Sequence, residues 1–292
     1  MKKLSKVILG LLVVLTIVLI PKVSVSASND NKPETVVLSE NNLLVLNTEV
    51  NGESTAAIIA KAKELDAKLA KREYLGAKKP LYLFLNSPGG SIQSGLELIE
   101  ALQGIGRPVN TVILFAASMA WQLAQNLDDR LILKNGVLMS HHAAGEMQGS
   151  FGGVHPSQMD NRYELWLDRV KELDEQTVKR TNGKQTYESY TKQYDQEMWL
   201  TGTKSVAQGY ADKVVLVKCD TTLSGATTNH ASILGFDISY DLDKCPINTS
   251  PMNIKVGSLD TKTVTAELTN KIKSEFLSTF ENKQKQVLPM SF

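Results

Sequence analysis

Three short segments of the chain hold the residue types that acyl transfer needs. Ala116-Ala117-Ser118-Met119 places a serine where a β-branched run meets an alanine-rich one. A hydroxyl at such a junction sits at a helix N-terminus, where free N–H groups and the positive end of the helix dipole favour negative charge developing beside Ser118 and Met119. Met139-Ser140-His141-His142 closes an apolar run in a chain with only 4 histidines. An imidazole with an unperturbed pKa near ~6.5 is the natural base for a serine hydroxyl at neutral pH. Asn86-Ser87-Pro88-Gly89-Gly90 stops a third apolar run. Its paired glycines let the backbone approach a ligand closely and point N–H groups at it, as an oxyanion hole requires. Taken singly, these are an N-cap, a structural histidine and a sharp turn. Together they supply a nucleophile, a base and an oxyanion pocket.

The intervening pattern says how they could meet. Pro80 precedes the strand-like run Leu81 to Leu85, and a helix is expected from Ile92 to Gln103. The unit recurs as a strand over Val109 to Phe115, a helix over Ser118 to Asn126, and strands over Arg130 to Leu133 and Gly136 to Ser140. Strands alternating with helices imply an α/β domain with a parallel or largely parallel sheet and right-handed crossovers. The carboxyl ends of parallel strands lie on one side of the sheet, so the three segments are expected to converge on one crevice. Upstream, Leu43 to Leu46 reads as a short buried strand, and Asn51 to Lys71 as a helix capped by Asn51 or Ser54. Downstream, Pro156 to about Thr181 reads as a long, highly charged helix that projects from the core. Trp121 is expected in the core.

The composition narrows the function classes. With 32 basic against 31 acidic residues the net charge is +1, which gives no broad attraction for nucleic acid or anionic lipid. Lys2, Lys3 and Lys6 precede an uninterrupted apolar run from Val7 to Ile20 that Pro21 ends. This is a secretory signal pattern, too short for a spanning helix, with small residues Val25 and Ala27 set for cleavage after Ala27. An uncleaved membrane anchor is the alternative; either way the folded part is expected outside the cytoplasm, periplasmic or secreted. Residues 28–41 are polar and read as extended or disordered. The 2 cysteines, Cys219 and Cys245, are a disulfide candidate in an exported protein. They make an incomplete ligand set for a metal, since His230 between them has no partner histidine. No P-loop occurs, and no cofactor is expected.

The segments LYLFLNSPGGSIQSGLELIEAL, AASMA, RLILKNGVLMSHHAAGEMQG and MWLTGTKSVAQGYADKVV, in that order, resemble successive motifs of the Clp protease proteolytic subunit. The similarity covers roughly residues 42–217. It implies the spiral of β-β-α units of the wider crotonase-like superfamily, with the helix from Pro156 as the handle that joins two rings of subunits. It also implies a homo-oligomer, since family members assemble as paired heptameric rings around a chamber. Carried over by position, the nucleophile falls on Ser118 and the base on His141, with His142 a neighbour. The oxyanion donors fall on the N–H groups of Gly90 and Met119, beside Gly89. Aligning Trp199-Leu200-Thr201 with the family's aromatic-apolar-hydroxyl run puts Glu197 where the family has an aspartate, and Asp195 is its competitor.

These features together imply a serine endopeptidase that cleaves peptides or unfolded proteins by a Ser-His-acid triad outside the cytoplasm. Because ATP is not expected there, neither is the ATPase unfoldase on which cytoplasmic members depend. The extension over residues 218–292 has no counterpart in the family pattern; it could cap the chamber, stabilise the oligomer or recruit a partner. Two alternatives stand beside this reading. One is a membrane-associated peptidase of the signal-peptide-peptidase type with a serine-lysine dyad, although no lysine stands in a matching motif. The other is a catalytically silent ring or scaffold, which the altered acid and the added tail would suit.

Overall fold

The computed structural model describes residues 33–72, 78–144, 156–233, 235–257 and 266–285. The expected signal segment over residues 1–27 lies outside them. Among the described residues no helix is long and apolar enough to cross a membrane.

One mixed sheet organises the domain. Its strands are β1 (Glu34–Leu38), β2 (Leu43–Leu46), β3 (Leu81–Ser87), β4 (Val109–Ala117), β5 (Arg130–Ser140), β6 (Met198–Thr201) and β7 (Lys213–Cys219). The order is β1-β7-β5-β4-β3-β2, with β6 pairing β5 off that path. Every pairing is parallel except that of β5 with β6. This is an α/β fold with a parallel sheet, as expected of the crotonase-like architecture. Strand β1 falls within the polar stretch read as extended or disordered; Val36 and Leu38 alternate inward there and pair with β7.

Strand β5 corrects one detail. The two strands expected around Lys134-Asn135 form one continuous strand that changes partner midway. Leu131 to Leu133 pair with β7, and Val137 to Ser140 pair with β6. Gly136 permits the crossing, because a Cβ there would stand 2.6 Å from the Ile113 carbonyl oxygen.

Helices α1 (Gly52–Ala70), α2 (Ile92–Gly104) and α3 (Met119–Asn126) pack against one another and against the strands through Ile58, Leu65, Leu98, Leu102, Trp121 and Leu123. Asn51 caps α1 reciprocally with Ser54, so both expected caps operate as a capping box. Trp121 is fully buried and stacks against Tyr190. Helix α4 (Pro156–Arg180) is divided in character: Tyr163, Leu165 and Leu167 are exposed, whereas Leu173, Asp174 and Thr177 are buried. Only its first half projects.

Helix α5 (Tyr187–Tyr194) was not expected from the sequence, although Tyr187, Tyr190 and Tyr194 stand at helical spacing and Thr186 caps it. After α6 (Gly202–Gln208) and β7, the extension forms an antiparallel sheet of β8 (Ala226–Ile233), β9 (Phe236–Asp243) and β10 (Met252–Val256). Helix α7 (Ala266–Lys285) packs on it through Ile272 and Phe276 around Ile238. A Cys219–Cys245 disulfide ties β7 to this added sheet.

Candidate active site

The parallel register brings the segments together. Ala117 pairs with Met139, and the next residue, Ser118, donates its N–H to the Met139 carbonyl at 3.0 Å. Ser118 and His141 therefore ride on the ends of adjacent interior strands. His141 Nε2 lies 2.8 Å from Ser118 Oγ. Ser118 occupies the N-cap position of α3, yet its side chain makes no capping hydrogen bond. The hydroxyl is turned to the imidazole, so the simple N-cap explanation of this serine fails.

The backbone at Ser118 is strained: φ is 54° and ψ is −120°, a combination costly for a residue with a Cβ. Neighbouring packing holds it there. A Cβ on Gly89 would come within 2.5 Å of the Ala117 carbonyl oxygen and 2.7 Å of the Met119 nitrogen, so the Pro88-Gly89-Gly90 turn lies directly against the backbone on either side of Ser118. Gly89 and Gly90 have φ of 94° and 144°. Val50 clamps the turn from its other side, donating to the Gly89 carbonyl and accepting from Ser91 N–H, each at 2.8 Å. That parallel bridge uses the groups flanking Gly90 and turns the N–H of Gly90 away from Val50. Gly90, Ser118, Met119 and His141 line one pocket of about 160 Å³.

Buried polar contacts brace the far end of α3. Arg130, 1% exposed, donates to Gln125 Oε1 at 2.8 Å and to Asp212 Oδ2 at 3.1 Å, and Gln125 donates to the Tyr210 carbonyl. Burial pushes the Asp212 carboxyl up, but hydrogen bonds from Arg130 and the charges of Arg130 and Arg180 outweigh it and hold the carboxyl below the usual range.

The carboxylates are arranged differently. Glu197 is exposed, has φ of 63°, and accepts a hydrogen bond from Trp199 Nε1 at 3.2 Å. Asp195 pairs with His142 at 2.9 Å. Among the described residues no carboxylate is hydrogen-bonded to His141. The antiparallel register pairs Met139 with Trp199 and Ser140 with Met198. Continued by one rung, it puts Glu197 opposite His141.

A residue absent from the sequence reading also lines the pocket. Asp174 of α4 is 5% exposed, and its Oδ2 accepts from the Tyr194 hydroxyl at 2.5 Å. Burial pushes its carboxyl above the usual range, against the Tyr194 hydrogen bond and the nearby His142, which pull it down. Nothing in the local sequence separates Asp174 from the other acidic residues of α4. No lysine lines the pocket among the described residues. Among the described residues no group of three or more His, Cys, Asp or Glu side chains stands ready to hold a metal.

Residues 29–218 match the Clp protease family. The chain belongs to that family. An ATP-dependent Clp protease proteolytic subunit of Streptococcus gordonii is 28% identical over 181 residues, 61% of this chain and 86% of the relative. A proteolytic subunit 1 of Leifsonia xyli subsp. xyli is 30% identical over 180 residues, 61% of this chain and 84% of the relative. The Clp protease family is a family of serine peptidases. The matched span ends at the last strand of the large sheet, one residue before Cys219, so the sheet of β8, β9 and β10 is an addition to what is shared.

Proposed function

We propose that the chain is a serine endopeptidase in which Ser118 attacks the scissile carbonyl and His141 takes its proton. The observation that carries this reading is the 2.8 Å contact between Ser118 Oγ and His141 Nε2 at the convergent ends of β4 and β5. Attack on a peptide carbonyl forms a tetrahedral oxyanion, which the N–H groups of Gly90 and Met119 receive. His141 then passes the proton to the leaving amine, and water repeats the cycle to release the acyl group from Ser118. Glu197 completes the triad by leaving Trp199 and accepting from His141 Nδ1, a move across one rung of the β5–β6 pair.

The protein acts outside the cytoplasm and without ATP. The leader pattern of residues 1–20 and the Cys219–Cys245 disulfide support the location, since disulfides persist in oxidising compartments. Without ATP no unfoldase feeds the site, so the substrates are peptides or proteins already unfolded. The resemblance further supports a homo-oligomeric ring of seven, single or double. The test is hydrolysis of fluorogenic peptides and of a reduced, unfolded protein by the purified chain with no nucleotide present. Turnover by the wild type and none by Ser118→Ala is the expected result; turnover only after addition of ATP and an unfoldase would contradict it.

A further inference from the structure

The pocket beside Ser118 contains a carboxyl that the acyl-transfer steps do not use. We propose that Asp174 is a specificity residue that selects a lysine or arginine side chain on the acyl side of the scissile bond. The inference rests on the peptidase reading of Ser118 and His141.

Three observations carry it. Asp174 lines the same pocket as the nucleophile and base, although it comes from α4 and not from a strand end. Its carboxyl is oriented, because Oδ2 is held by the Tyr194 hydroxyl, and Tyr194 is itself packed edge-on against Tyr190. No cation pairs with it among the described residues. The His142 imidazole, whose charge acts on Asp174, lies edge-on to Tyr194 and pairs its Nε2 with Asp195 instead.

A buried carboxylate with no cation bonded to it is expensive, and its raised pKa reflects that burial cost. An incoming ammonium or guanidinium removes the penalty and leaves the Tyr194 hydrogen bond in place. The remaining walls suit the rest of such a side chain. Ile92, Val170 and Leu173 offer apolar surface for the methylene stem, and Gln122 offers an amide. A leucine in the same place would fill the apolar part but seal Asp174 away from water with no cationic partner and only the Tyr194 hydrogen bond, which penalises it.

The test compares two peptidyl chloromethyl ketones that differ only in carrying lysine or leucine at the reactive carbonyl. Alkylation of the wild-type protein is followed by intact mass, beside labelling by a small fluorophosphonate that does not fill the pocket. The lysine reagent is expected to react faster by about tenfold or more. Asp174→Asn is expected to remove that preference and keep the fluorophosphonate rate, which also reports that the variant is folded. If the leucine reagent reacts as fast or faster while fluorophosphonate labels Ser118, the Asp174 assignment is overturned and the peptidase reading stands. If fluorophosphonate fails to label the wild type, the peptidase reading falls and the pocket assignment with it.

Discussion

Two sides of the same site are built to different standards. On one side, Ser118 and His141 end β4 and β5, which are paired on both edges and buried over most of their length. Their separation is set by backbone register, and the strained Ser118 backbone is held by a glycine turn that tolerates no Cβ. On the other side, Glu197 precedes a strand of only four residues at the periphery of the sheet, is exposed, and is engaged by Trp199. The difference teaches that the proposed nucleophile and base are preorganised by the fold, whereas the proposed acid has to be recruited. Loss of a preorganised group should cost more than loss of a recruited one.

The sharpest way to break this comparison is removal of the preorganised pair. Ser118→Ala and His141→Ala are each expected to lower kcat by about 10⁴-fold or more, and the double variant by little beyond either one, because the two act as a unit. Steady-state hydrolysis of a fluorogenic peptide measures this. Gly89→Ala comes next. Its Cβ would collide with the Ala117 carbonyl and displace the donors around Ser118, for an expected loss of roughly 10²–10³-fold in kcat with a smaller change in KM.

Arg130→Met tests the brace that holds α3. Gln125 loses its buried partner, while Asp212 is partly exposed and keeps Arg180 at 3.6 Å, so the cost should be about 1.5–3 kcal/mol, read as a fall in denaturant midpoint. The same pair predicts the acid limb of stability. The Asp212 carboxyl titrates lower in the folded chain than its ordinary 3.8, so its contribution is complete above that value. It is lost as pH falls through the lower folded pKa, and Asp212→Asn should flatten that part of the profile. The smallest effects are expected at Glu197. Glu197→Gln should reduce kcat by about tenfold, well short of the Ser118 effect, and Trp199→Phe should raise kcat slightly by freeing the carboxylate. A loss at Glu197 as large as that at Ser118 would show that the acid is as preorganised as the pair, and the comparison would fail.

What the sequence made legible follows the same division. Register and strand ends are written in local patterns, so the apolar runs closed by Pro88-Gly89-Gly90, Ser118 and His141-His142 announced both the sheet and the crevice. The break at Lys134-Asn135 was visible too, but it marks a change of partner within one strand and not a gap between two, because pairing partners are long-range. Helix α5 and Asp174 were not read. The tyrosines of α5 have helical spacing but polar neighbours, and Asp174 gains meaning only when α4 and α5 fold over the strand ends. Glu197 enters only as what the resemblance to the family motif implies; its engagement with Trp199 depends on side-chain rotamer, which no sequence pattern encodes.

The most direct test of the central claim is mapping a fluorophosphonate adduct by mass spectrometry on the wild type, on Ser118→Ala and on His141→Ala. One adduct per chain on Ser118 in the wild type, none in Ser118→Ala, and slow labelling in His141→Ala are the predicted results. An unlabelled wild type in a folded state, or an adduct on a residue other than Ser118, would contradict the account.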